Sequence, residues 1–180
     1  MPNPVLVLEY ANLFCGSGPQ DVTKSNHLTL MQVQLPTLDI QYVDHRLGAA
    51  PVAIEIDVQI ARFEIKFQHI GIVRQIWELL LRFDAGANDF FIYGHVRDQM
   101  TGEAIQAAAY AQGQLAAIEP TPFKRGEVMS TNCTIRGIRK YTFSMADRPI
   151  YNWDFWTNTW AVGGYNQDGV SITGANNEGL

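Results

Sequence analysis

Four histidines, His27, His45, His69 and His95, have side chains suited to metal ligation or proton transfer, and each stands alone in the sequence. None lies in an HxH, HExxH or Cys/His cluster, so a metal centre would have to be assembled wholly by the fold. Cys15 and Cys133 are far apart and outside any CxxC spacing, which points to buried thiols rather than zinc or a redox pair. Glu55 and Asp57 share one face of a strand and have the types needed for a general acid and base, although a solvated polar face is the commoner meaning of that spacing. The glycines of Phe14–Pro19 (FCGSGP) make a loop, yet no GxxxxGKS/T or GxGxxG leads from a strand into a helix, and no GxSxG elbow occurs. The residue types give no positive sign of catalysis, and no cofactor is implied.

Charge is the next constraint. Thirteen Lys plus Arg against eighteen Asp plus Glu leave a formal charge of -5, which argues against a protein that grips phosphate backbones. Six basic residues, Lys124, Arg125, Arg136, Arg139, Lys140 and Arg148, nevertheless fall in one short stretch. On strands, that stretch reads most simply as a face of a subunit interface, complementary to the acidic strand around Glu55 and Asp57 of a neighbour. With 180 residues, 47% of them hydrophobic and 17% charged, one domain is expected, burying about 70% of the surface its unfolded chain exposes. No apolar run approaches the roughly 20 residues of a spanning helix, and the start of the chain lacks a basic signal-peptide region. Residence in a cytoplasm, with no membrane partner, is the expectation.

The elements that must carry these side chains are mostly strands. From Val52, apolar Ile54, Ile56, Val58 and Ile60 alternate with Glu55, Asp57 and Gln59. At Ile60-Ala61 the phase flips: Ala61, Phe63, Ile65 and Phe67 become the apolar set and Arg62, Glu64, Lys66 and Gln68 the polar one, predicting a bulge or a bend between two sheets. Leu28–Leu30 and Leu38–Tyr42 read as shorter strands, and Asp44–Pro51 (DHRLGAAP) as a projecting loop. A period of 3.6 predicts one helix over residues 72–83, with Ile72, Ile76, Leu79, Leu80 and Phe83 as its apolar stripe. Phe90–Tyr93, the turn Arg97–Glu103 and Ala104–Leu115 predict a hairpin, and Met129–Ile135 and Tyr141–Met145 two more strands around a bend at Gly137. Seven or eight strands and one covering helix imply a mainly β (α+β) chain, a two-sheet sandwich or partly closed barrel.

Read in order, several stretches resemble the major tail tube proteins of contractile-tailed bacteriophages, the group of the P2-like phages and R-type pyocins. They are Leu28–Leu38 (LTLMQVQLPTL), Tyr42–Val52 (YVDHRLGAAPV), Ile76–Leu79 (IWEL), Arg97–Glu103, Gly113–Pro120 (GQLAAIEP), Lys124–Glu127 (KRGE), Asn132–Phe143 and the final Gly179-Leu180. The stretch Met145–Gly163 departs from that pattern in being rich in aromatic residues, with Trp153, Phe155, Trp156 and Trp160.

The resemblance implies a single tail-tube domain over residues 1–180 whose strands join between subunits into a continuous β-barrel. Hexameric rings would stack into the inner tube of a contractile tail, a conduit for DNA ejection through which phage DNA passes transiently without specific binding. It implies an N-terminal arm over about 1–10, a projecting loop over about 43–51 and a C-terminal arm over about 163–180. The loop residues Asp44, His45, Arg46, Leu47, Gly48, Ala49, Ala50 and Pro51 become candidates for contacts between subunits or rings. Glu55, Asp57, Gln59, Arg62, Glu64 and Lys66 become candidates for the lumen face, although alternation alone does not choose between lumen and sheath side. The implied partners are further copies of the chain, the tail sheath, the tape measure protein, and the baseplate and tail terminator proteins. The implied location is the virion tail, assembled in the host cytoplasm. Two alternatives stay open: a ring protein of type VI secretion that conducts effectors, and a monomeric β-barrel that binds a small ligand in an apolar pocket.

Overall fold

The longest alternating stretch of the sequence becomes two strands, β4 (Ile54–Ile60) and β5 (Ile65–Ile70), which belong to different sheets. The computed structural model describes residues 5–16, 24–45, 54–80 and 86–166. Strand β4 pairs only with β3 (Ile40–His45) in a two-stranded hairpin, whereas β5 lies between β2 (Leu30–Gln34) and β8 (Ser130–Met145). The phase flip is the joint between them. A one-residue slip in a continuous strand would carry the polar set to the opposite face. The irregular Ala61–Glu64 link absorbs it, and Gln59, Arg62, Glu64 and Lys66 end up lining one polar groove.

The larger sheet runs β1 (Leu6–Cys15), β6 (Asn88–Asp98), β7 (Ala104–Pro120), β8, β9 (Arg148–Asp154), β10 (Thr159–Val162) and β11 (Tyr165–Asn166), with β5 and then β2 branching from β8. Strands β7 and β8 are long because each serves both layers. The first half of β7 pairs β6, and the second half of β8 pairs β9. The first half of β8 turns to pair β5. The corner falls where the β7–β8 register shifts beside Gly113, opposite Gly137 with φ 61°. A Cβ on Gly113 would meet Arg136 O and Ile135 Cγ2 at 3.1 Å, so the corner needs a residue without one. The expected bend at Gly137 is therefore present, but inside one 16-residue strand rather than between two.

Leu13, Phe63, Ile65, Phe67, Phe90, Ile92, Ile135, Tyr141 and Tyr151 form one core between the limbs. Phe63, just past the hairpin, packs edge-on against Tyr151 and Trp153 and anchors the joint. The helix α1 (Arg74–Leu80) lies against β7. Its buried residue is Ile76, with Leu79 and Leu80 packed partly on the core. Ile72 precedes the helix and is exposed, which corrects its place in the stripe, and Phe83 lies outside the described residues. Burying Ile76 is worth about 1.5–3 kcal/mol. The exposed Arg74–Glu78 pair at 2.9 Å adds only about 0.3 kcal/mol, so packing holds the helix.

Eleven strands among the described residues exceed the seven or eight expected. Residues 6–10, read from the sequence as part of an arm, are the first half of β1 and pair with β6. Their run VLVLEY is apolar on both faces and hides the period-2 signal. Strands β9 to β11 form the aromatic stretch. Leu28 lies within a turn over 27–29, and the strand expected there starts at Leu30.

Candidate assembly surfaces

Four strands, β2, β5, β8 and the second half of β7, share a polar face produced by strict alternation. Gln34, Lys66, Thr134 and Ala117 lie in one cross-strand row, and Gln32, Gln68, Asn132 and Glu119 in another. The row between them, Val33, Phe67, Cys133 and Ile118, points into the core. Amides and hydroxyls dominate the outer face. Glu64 Oε1 lies 3.2 Å from Arg62 Nε and 3.1 Å from Arg136 Nε, ion pairs without hydrogen-bond geometry that offset its charge locally.

The structure brings four of the six candidate lumen residues together. Gln59, Arg62, Glu64 and Lys66 line a groove of about 560 Å³ with Gln34 and Gln41, and Gln59 Nε2 donates to Gln41 Oε1 at 2.7 Å. Glu55 and Asp57 lie farther out on the hairpin, across from Asp44 and Tyr42. Asp44 directly faces Glu55, and no cation pairs with either carboxylate among the described residues. Like charges opposite each other weaken a strand pair. Of the projecting loop, Asp44 and His45 end β3, and Arg46, Leu47, Gly48, Ala49, Ala50 and Pro51 lie outside the described residues. The C-terminal segment is described as far as β11, and residues 167–180 fall outside. Gln32, Gln34, Gln68, Asn132, Thr134 and Glu119 were missed as wall candidates; the short alternations LMQVQ and NCT were the available signal.

The basic stretch does not form one face. Lys124 and Arg125 sit on the β7–β8 connection, with Lys124 3.6 Å from Glu127. Arg136 belongs to Glu64, and Arg139 stacks over Trp156 with its guanidinium 5.7 Å from the ring centroid. Arg148 lies beyond the far end of β8. Alternation along a long bent strand sends neighbouring cations to different surfaces.

An apolar groove of about 550 Å³ runs along Ile92, Val96, Ala107, Ala109, Phe143 and Met145, roofed by β2. Two of its polar rim groups are already engaged. Glu9 takes Arg97 Nε at 2.5 Å, which holds its carboxyl below the usual carboxylate range, and His27 Nδ1 lies 2.9 Å from Ser25 Oγ. Among the described residues Tyr10 and Gln32 supply its other polar side chains, and the rest of the lining is apolar. The thiols of Cys15 and Cys133 are buried, and desolvation pushes both up to about 12, leaving them unreactive near neutrality. His69 is wholly buried beside Cys133, with Nδ1 3.9 Å from the sulfur and no hydrogen-bond partner for Nε2 among the described residues. Burial holds its imidazole below the ordinary value, so it is a neutral core residue.

The same architecture occurs in tube-forming machines. The chain matches a cryo-EM structure of the anti-feeding prophage baseplate, six-fold symmetrised, at TM-score 0.57 and 10% identity, over 81% of this chain and 97% of that one. It also matches the sheath–tube complex of an extracellular contractile injection system, PVC, in its extended state, at TM-score 0.52 and 10% identity, over 80% of this chain and 90% of that one. The sheath/tube terminator structure of the same system aligns at TM-score 0.51 and 10% identity, over 81% of this chain and 96% of that one. At such identity these likenesses concern the fold alone. A search of curated protein sequences finds no match. The model of the family described as phage tail tube protein FII matches residues 22–168, most of the length, and the chain belongs to that family.

Proposed function

We propose that this structural tail-tube subunit closes into six-membered rings, with the polar face of β2, β5, β8 and β7 turned to the lumen, and that stacked rings form the conduit for DNA ejection. One observation carries the reading: among the described residues the four-strand sheet ends at two margins that no strand pairs, the outer side of β2 and Gln114–Pro120 of β7. Exposed strand margins invite pairing with other chains, and closing the sheet through neighbouring copies removes them. The six-fold symmetrised neighbour supports the ring size.

A wall rich in neutral amides suits passage of a polyanion. Retention by counterion release needs an excess of free cations; on this face Arg62 and Arg136 lie against Glu64, and the remaining Lys66 is matched in number by Glu119. Gln59, Arg62, Glu64 and Lys66 would lie at the wall, and Glu55 and Asp57 on its axial extension. The neighbouring sheath–tube, terminator and baseplate structures support assembly with a sheath, a terminator and a baseplate as part of the virion tail. A tape measure protein inside the tube and assembly in the host cytoplasm complete the proposal. The family match is to a phage tube, which places the type VI secretion reading second.

Negative-stain imaging and sedimentation of the purified protein test this. Rings or tubes far heavier than 20.2 kDa are expected on concentration. A sample that stays a monodisperse monomer at every salt and concentration would overturn it.

A further inference from the structure

His69 points from β5 into the interior of the β2–β5–β8 sheet, where it is wholly buried. Leu30 of β2 lies across from it on one side and Thr131 of β8 on the other. Thr131 Oγ1 is spent on Gly71 O at 2.9 Å, and Phe67 of β5 tilts against the imidazole with ring centroids 6.2 Å apart. Nδ1 meets the Cys133 sulfur at 3.9 Å, and Nε2 has no hydrogen-bond partner among the described residues. The titratable group facing the ring, the Cys133 thiol, is itself kept neutral by burial, which pushes it up to about 12. Strand β2 carries no ionisable residue, and His27 on the turn before it is exposed and bonded to Ser25. An imidazolium at position 69 would be a buried charge without a partner, so protonation requires that water reach it.

Of the strands around His69, β2 is the one least tied down. Strand β8 is paired along both edges, by β7 and β5. Strand β2 has five residues, pairs only with β5 and breaks register between Leu30 and Gln32, beside the exposed Met31. Beneath it runs the apolar groove of about 550 Å³, lined by its Leu30 and Val33. Side chains over open space have few atoms to hold them, and short edge elements of this kind open locally before the rest of a fold.

We infer that His69 is a proton-operated latch on the wall: when its imidazole takes up a proton, β2 parts from β5 at Leu30 and the sheet opens at the margin through which one copy joins the next. The strand release belongs to the free chain, and its consequence for assembly rests on the ring reading. An opened β2 exposes an imidazole of ordinary pKa, about 6.5, whereas the closed sheet resists the proton, so opening is suppressed above that pH and favoured below it. Between pH 7.5 and 5.5 the opened fraction should grow about tenfold.

Hydrogen exchange read by mass spectrometry on dilute protein, corrected for intrinsic exchange rates, tests the release. Peptides covering Leu30–Gln34 should lose protection about tenfold from pH 7.5 to 5.5, while those of the β8–β9 hairpin keep theirs. In His69→Gln, or in His69→Met where Gln prevents folding by circular dichroism, the β2 change should fall below about twofold. His27→Gln should behave as wild type. Tubes formed at pH 7.5 should shed subunits about tenfold faster on dilution into pH 5.5, and tubes of the His69 variant should not. Unchanged β2 protection in wild type, an equal loss in the His69 variant, or a loss shared by the β8–β9 hairpin overturns the latch. Wild-type tubes as long-lived at pH 5.5 as at 7.5 overturn its part in assembly. Protein that forms neither rings nor tubes at pH 7.5 marks failure of the ring reading, and exchange at Leu30–Gln34 still decides the strand release.

Discussion

Strands β4 and β5 are neighbours in sequence, share the same alternation and have opposite fates. The apolar set of β5 is sealed, with Ile65 at 0% and Phe67 at 2% exposure. On β4, Ile54, Ile56 and Ile60 stay 57%, 45% and 38% exposed. Period 2 specifies a strand with two chemical faces, but it does not specify what covers the apolar one. In β5 the cover is the limb carrying Phe90, Ile92 and Tyr141. The hairpin has no such cover among the described residues, and an isolated two-stranded hairpin is marginal in water; on the proposed ring a neighbouring copy supplies it. Within one stretch of sequence, folding information and assembly information are written in the same pattern.

Truncation gives the widest separation. Phe67→Ala should cost the free chain about 3–5 kcal/mol, as expected for deleting a buried ring. Ile56→Ala should cost within about 0.5 kcal/mol, because its side chain is half exposed already. Urea unfolding below the assembly concentration measures both. If Ile56→Ala destabilises the chain as much as Phe67→Ala, the hairpin is packed against its own subunit and the contrast collapses.

The second difference concerns protons. His69 on β5 sits between Leu30 of β2 and Thr131 of β8, near Cys133, with no charge to stabilise an imidazolium. Burial lowers its pKa from 6.5, so the unfolded chain takes up the proton first. Its contribution is fully present above pH 6.5 and is lost as pH falls toward the depressed folded value. Wild type should therefore lose stability between pH 7.5 and 5.5 in denaturant titrations, and His69→Gln should flatten that slope. An unchanged slope would mean that His69 is already solvated or paired in the native state.

Much of this contrast was legible in the residues and part was not. The phase flip at Ile60-Ala61 located the boundary between the sheets, because a strand cannot change face without a joint. The β6–β7 hairpin followed from its turn, where Asp98 Oδ1 accepts from Met100 N at 2.9 Å and Gly102 takes φ 73°. Strand β1 escaped because apolar residues on both faces leave no period, and the helix begins at Arg74, two residues after the expected start at 72. The wall face was only half legible. Arg62, Glu64 and Lys66 stand in one run, but their partners Gln32, Gln34, Asn132 and Thr134 come from strands whose pairing is a long-range choice. The scattering of the basic stretch was invisible for the same reason, since a bent strand shared by two layers assigns each residue its surface through register.

The smallest effect makes the sharpest test. Asp44 and Glu55 face each other across β3 and β4 with no cation beside them, a pairing that costs the free hairpin stability. Glu55→Lys replaces it with an opposite-charge pair and should stabilise the free chain by about 0.2–1 kcal/mol. On the proposed tube the same carboxylate lies at the axial extension of the wall, so tube formation should weaken while thermal stability of the subunit rises. A residue kept only for folding would move both quantities in one direction. Thermal melts of dilute protein beside light scattering of concentrated protein read the two effects separately. Tubes strengthened along with the subunit would return the acidic hairpin to an ordinary solvated surface.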